Sequence, residues 1–318
     1  MSGPGDWGVY SLLTIRYSRF AIRYFLSCPI EGKVDTVPAT PKRKGRLHGG
    51  FYVLPSLFTV GTLVCGYLSI LATLRGSTAL LSGILTTDAG RLAFDNAAKF
   101  IGWAWVFDSF DGRIARLTNS SSDFGREFDS LADVIAFGLA PAVLAFSWGI
   151  RPVEQTIGPI WREHLTSIGL IVTFAFVICG AARLARFNIQ SARPSADRKH
   201  FVGLPIPAAA GVVAAIVHCR KDAIQDWNYG AGWLLLMALL AFLMVSRVRY
   251  PSFKQVDLRR ARPYAAIILI GLAVYLVYAY SEYVLLLVSV GYLVSGPLSR
   301  LLARRHPPAP PPQEVHAQ

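Results

Sequence analysis

The chain alternates long apolar runs with short polar breaks along almost its whole length. Eight runs stand out, at residues 54–74, 93–117, 128–149, 166–190, 204–219, 231–247, 263–279 and 282–301. A helix needs about 20 largely apolar residues to cross the hydrocarbon of a bilayer, and these runs reach or approach that length. Within lipid a helix also satisfies its own backbone N–H and C=O groups. The pattern predicts an all-α, polytopic membrane helix bundle with about eight transmembrane helices. The polar stretches between the runs are too short to build a second core.

Composition agrees: 53% of the 318 residues are hydrophobic and 16% are charged, whereas soluble domains carry about 25% charged residues. The formal net charge of +13 raises the question of nucleic acid. The basic residues, however, sit at the ends of apolar runs and form no separate face, so no nucleic-acid partner is expected. They report topology instead, because loops rich in Lys and Arg stay in the cytoplasm. With a cytoplasmic N-terminus, the loops on that side hold 21 Lys and Arg residues and the opposite loops 6. An integral protein of the cytoplasmic membrane is expected, with both termini and the loop around Asp123 on the cytoplasmic side.

Cys28, Cys65, Cys179 and Cys219 show no metal-type spacing, and three lie inside apolar runs as small packing residues. Residues 1–50 form a basic N-terminal extension in which the first 27 residues lack the pattern of a cleaved signal peptide. Within it, Arg16, Arg19 and Arg23 fall on one face of an apolar stretch. That suits a helix lying on the membrane surface, and an irregular leader with topogenic charge fits as well. The following KRKGR (Lys42 to Arg46) reads as a positive-inside signal. The membrane domain is placed at 51–302 and a disordered Pro-rich tail at 303–318.

The chemistry lies where the second run ends and the third begins, in WVFDSFDGRIARLTNSSSDFGREFDSLADVIAFGLAP. An aspartate at the centre of a membrane helix costs about 2.5–3.5 kcal/mol, and four occur here: Asp108, Asp111, Asp129 and Asp133. The first two are three residues apart and the second two four apart, so each pair shares a helix face. The helices are joined by the short polar loop from Thr118 to Glu127, so the pairs can converge. Converging carboxylates repel one another unless cations sit among them. An all-oxygen donor set without His or Cys suits a hard divalent metal such as Mg²⁺ or Mn²⁺ and argues against zinc. Gly112 and Ala115 continue the acidic face with little side chain and leave room for a flat ligand, and Gly125 does the same on the next helix. Arg113 and Arg116 lie near the cytoplasmic end, where contact with phosphate oxygens and snorkelling to the interface both fit.

The run Asp108-x2-Asp111-Gly112-x2-Ala115-Arg116-x8-Gly125-x3-Asp129-x3-Asp133 resembles the complete motif of the CDP-alcohol phosphatidyltransferases, with every fixed position at the family spacing. The resemblance implies attack of an alcohol on the β-phosphorus of a CDP-linked lipid, with CMP leaving and divalent ions assisting. It implies that Asp108, Asp111 and Asp129 are the main metal ligands, while Asp133 completes the cluster and acts as general base. It also implies that Gly112, Ala115 and Gly125, with Asp108, line the cytidine site.

GAARLARFNIQ (Gly180 to Gln190) and FVGLPIPAAAG (Phe201 to Gly211) resemble the phosphatidylserine synthase branch, as do LTNSSSDFG and DSLADVIAFGLAP. The resemblance covers roughly residues 50–300. It implies CDP-diacylglycerol and L-serine as substrates, with membrane lipids around the enzyme, and a homodimer is compatible with it. Arg183 and Arg186 lie at the cytoplasmic end of the fourth run, where a guanidinium can hold the serine carboxylate bidentately or simply snorkel. Pro205 and Pro207 bend the start of the fifth run or merely begin it. The match departs at LPSLFTVGT, where Ser56 and Thr62 stand in place of asparagines frequent in relatives, and in the long segment from Arg75 to Arg91.

Two rival readings also fit the sequence. One is a transferase of the same kind using another acceptor, such as glycerol 3-phosphate or inositol phosphate. The other is an ion-coupled transporter, since intramembrane carboxylates also mark ion paths. The clustering of four acids at one membrane face favours the enzyme.

Overall fold

The computed structural model describes residues 53–81, 88–117, 123–154, 158–191, 200–251 and 263–305. The N-terminal extension, with the expected surface helix and KRKGR, lies outside the described residues, as do 118–122 and the proline tail. The fold is helical, as expected: α1 (Val53–Leu81), α2 (Asp88–Leu117), α3 (Asp123–Asp133), a π-helical turn (Val134–Leu139), α4 (Ala140–Gly149), α5 (Arg151–Glu154), α6 (Pro159–Ser191), α7 (Ile206–Arg220), α8 (Trp227–Val245) and α9 (Pro263–Arg305). To this the structure adds a small antiparallel ribbon of β1 (His200–Val202) and β2 (Arg249–Pro251), with Phe201 opposite Tyr250.

Among the described residues five helical stretches are long and apolar enough to cross a membrane: 56–80, 124–154, 161–190, 227–245 and 274–299. Three of the eight expected spans are not among these five. Helix α2 carries too many charges to qualify, and α7 is a short apolar helix of 15 residues. The last two expected spans belong to one 43-residue element whose backbone leaves helical geometry at Tyr280 (φ −134°, ψ 38°).

Helix α1 packs along α2 through a stripe of small and hydroxylated side chains. Gly66 approaches the π turn so closely that a Cβ there would stand 2.8 Å from Ala136 Cα, and Ser69 donates to the Ala97 carbonyl at 2.9 Å. Small residues at the crossing let backbones meet where lipid supplies no hydrophobic drive between helices. The core is filled by Trp148 of α4, Phe137 of the π turn, Phe176 of α6, and Met237 and Leu240 of α8, all fully buried. Pro205 is the N-cap of α7 and Pro207 sits in its first turn, so these prolines begin the helix and do not kink it.

A second polar cluster holds the bundle at the end remote from the four aspartates. Asp95 of α2 accepts from Lys99 at 2.7 Å and from His218 of α7, and the other ring nitrogen of His218 lies 2.9 Å from Ser281 Oγ of α9. Nothing in the apolar pattern pointed to this tie. Asp95 and Asp108 are 13 residues apart, about 20 Å along a helix. The buried side chains between them on α2, Ala97, Ala98, Ile101 and Ala104, are apolar.

Candidate active site

The two helices do bring the aspartates together. Carboxylate oxygens of Asp108 and Asp111 on α2 and of Asp129 on α3 lie within 4.8 Å of one another. Asp111 and Asp133 are buried, and Asp108 and Asp129 are half-buried. Asp133, one turn beyond Asp129, is within electrostatic reach of the other three and of Arg183. Its Oδ1 is buried and has no hydrogen-bond partner among the described residues. Buried polar atoms are almost always partnered, so this oxygen calls for a ligand or a proton. The π turn begins directly after it, and such turns recur at functional sites.

Thr59 of α1, itself buried, donates from Oγ1 to Asp111 Oδ2 at 2.7 Å and holds that carboxylate in place. The sequence reading singled out its neighbours, Ser56 and Thr62. Thr62 instead returns its hydroxyl to the Phe58 carbonyl of its own helix at 3.2 Å. The recurrence of Ser56, Thr59 and Thr62 every three residues was the available signal, a polar stripe on one helix face.

Around the acids, a Cβ added to Gly112 would meet nothing within 4 Å, so the space beside the acidic face is open. Gly125 is half-buried in the first turn of α3, and Arg113 is exposed. Ala115 and Arg116 belong to the last turn of α2, and their side chains lie outside the described set.

The structure separates the two arginines of α6. Arg183 is buried, with its guanidinium 5.5 Å from the Phe187 ring centroid and its Nε without a protein partner among the described residues. Arg186 is exposed and donates to the Val245 carbonyl at 3.4 Å, at the end of α8. The two expected site arginines thus stand in different surroundings. The three-residue spacing leaves the two on neighbouring positions of the helix, and their surroundings separate them: Arg183 lies within electrostatic reach of Asp133, and Arg186 reaches the end of α8.

The donor set fits a hard divalent cation: oxygen throughout, three carboxylates converging, and a fourth with an unpartnered oxygen beside them. Residues 52–248 match the CDP-alcohol phosphatidyltransferase family. The chain belongs to this family. Over 206 residues it is 39% identical to a CDP-diacylglycerol--serine O-phosphatidyltransferase of Helicobacter pylori (strain ATCC 700392 / 26695), covering 64% of this chain and 74% of that protein. It is 32% identical over 207 residues to the Bacillus subtilis protein of the same name, covering 64% and 92%. An archaetidylserine synthase of Methanothermobacter thermautotrophicus is 31% identical over 205 residues, 63% of this chain and 70% of the relative. With its long apolar helices, this transferase is an integral membrane protein.

Proposed function

We propose that the protein transfers a phosphatidyl group from CDP-diacylglycerol to L-serine, releasing CMP and forming phosphatidylserine. The observation that carries this reading is the convergence of Asp108, Asp111 and Asp129 beside a buried Asp133 and Arg183, in a chain similar to serine phosphatidyltransferases. Asp108, Asp111 and Asp129, with Asp133 completing the set, would hold Mg²⁺ or Mn²⁺. A bound divalent ion would neutralise the pyrophosphate and stabilise the departing CMP.

The protein's own groups supply the rest. Thr59 fixes the Asp111 carboxylate, and the open face at Gly112, with Asp108, Ala115 and Gly125, receives the cytidine. Arg113 and Arg116 stand where phosphate oxygens would pass. Arg183 takes the serine carboxylate through its guanidinium fork. Asp133 accepts the hydroxyl proton through Oδ1 as the serine oxygen forms its bond to the β-phosphorus and the bond from phosphorus to the CMP oxygen breaks. The transfer is a single displacement, since among the described residues no Ser-His or Cys-His pair stands beside the acids as a nucleophile.

The test is an acceptor screen on purified protein. Divalent-metal-dependent release of CMP from CDP-diacylglycerol should accelerate with L-serine and not with glycerol 3-phosphate or inositol phosphate. Acceleration by one of the latter instead would assign another acceptor, and no CMP release at all would return the transporter reading. Within the serine reaction, Arg183→Lys should raise the serine KM about 10- to 150-fold, the equivalent of a charged hydrogen bond worth about 1.5–3 kcal/mol. Arg186→Lys should leave it near normal, and equal effects of the two variants would dismiss the separation of roles.

We further place the active site and both termini on the cytoplasmic side, with α9 crossing twice. At about 1.5 Å per residue its 43 residues would run roughly 65 Å, twice the hydrocarbon thickness, and the break at Tyr280 provides a turning point. A cysteine introduced at 118–127 should resist an impermeant reagent applied to intact cells. Labelling there from outside would overturn this orientation.

A further inference from the structure

Three buried polar atoms without a protein partner among the described residues, Asp133 Oδ1, Arg183 Nε and Tyr250 Oη, belong to one connected run of side chains. Asp133 and Tyr292 are both within electrostatic reach of Arg183, and the Tyr292 ring lies against that of Tyr250 with centroids 5.6 Å apart. The run therefore leads from the carboxylate cluster through Arg183 to two tyrosines. Both lie beyond residue 248, where the family match ends.

The placement of Tyr250 is enforced. Its residue pairs with Phe201 in the β1–β2 ribbon, and its side chain is fully buried against α9 at Gly296. A Cβ at Gly296 would stand 2.3 Å from Tyr250 Cε1, so the ring occupies the space that glycine leaves. Gly296 is four residues after Tyr292, one helical turn, so both tyrosine rings meet on one face of α9. A phenol fixed in this way with its hydroxyl unpartnered carries an uncompensated desolvation cost, and so does the buried Arg183 Nε. A polar occupant beside Arg183 would relieve its cost. Tyr292, within electrostatic reach of Arg183, brings a second donor type to that place, and a carboxylate accepts from a guanidinium and a phenol at once.

We propose that Tyr292 completes the acceptor site by donating its hydroxyl to the amino-acid carboxylate held by Arg183, with Tyr250 as the positioning residue behind it. Selection of a carboxylate-bearing acceptor is then made in part by α9 and β2, outside the segment that defines the family. This rests on the serine reading above.

The test compares wild type, Tyr292→Phe and Tyr250→Phe with L-serine and with ethanolamine, which lacks the carboxylate. Tyr292→Phe should raise the serine KM about tenfold or more, with kcat and the CDP-diacylglycerol KM nearly unchanged, and should narrow the preference for serine over ethanolamine by a similar factor. Tyr250→Phe should raise the serine KM by a smaller factor. It should also leave the Tm of the ligand-free protein unchanged or higher, because it removes an unpartnered buried hydroxyl. A purely structural role for Tyr250 predicts the reverse, a lower Tm with normal serine KM, and that result would overturn its part. An unchanged serine KM in Tyr292→Phe, beside a serine-responsive wild type, overturns the proposal while leaving the serine reading intact. Should Tyr292→Phe fail to accumulate as folded protein, the Tyr250→Phe result decides. A wild-type protein indifferent to L-serine would bring down the function and the proposal together.

Discussion

Replacing Asp108, Asp111 or Asp129 by Asn should lower the rate of CMP release by about 10²-fold or more in each case, while the protein stays folded. The three carboxylates converge within 4.8 Å. Asn keeps the shape of each side chain and removes the charge that a cation needs. Losing a group that acts on the reacting centre typically costs 10²- to 10⁴-fold. Stability should not suffer, because without metal these carboxylates repel one another in a poorly solvated place, and removing one relieves that repulsion. Thermal unfolding separates the effects: metal-free variants should melt at or above the wild-type Tm, and Mg²⁺ or Mn²⁺ should stabilise them less than it stabilises wild type. A variant retaining more than about a tenth of wild-type turnover would refute the assignment of that aspartate as a ligand.

Asp133→Asn should also abolish most turnover, by about 10²- to 10⁴-fold in kcat, through a different route. The Asp133 Oδ1 atom is buried and unpartnered, and Asp133 stands outside the trio of closest oxygens. A general base in this position is lost in kcat, whereas CDP-diacylglycerol binding and the metal-induced rise in Tm should largely persist. If the variant instead loses the metal-induced stabilisation to the same degree as the other three, Asp133 is principally a ligand and the proton must go elsewhere. Turnover close to wild type would remove it from the chemistry altogether.

The contrast between the four aspartates and their surroundings shows what kind of information each level holds. The pairs at 108 and 111 and at 129 and 133 are legible because helical spacing alone puts each pair on one face, and a short loop makes the two helices neighbours. The same local rule fails for Arg183 and Arg186, which look equivalent at the end of one helix yet point to different surroundings. Pro205 and Pro207 read equally as a bend or a start until their place at the head of α7 was seen.

The sequence by itself determined the membrane class, the order of the helices, the metal-suited acidic cluster and the family, because all of these rest on composition, period and spacing within one or two neighbouring helices. Only the tertiary structure decided that Thr59 and not Thr62 donates to Asp111, that Arg183 is buried while Arg186 is exposed, and that the Tyr250 and Tyr292 rings pack together. It also decided that Asp95, His218 and Ser281 tie three helices together. The partners in these contacts are 52, 63 and 123 residues apart for Thr59 with Asp111, His218 with Ser281 and His218 with Asp95. No local period records which helices will pack side by side, since in lipid that choice is made by small residues such as Gly66 and Gly296, whose missing side chains let particular surfaces meet.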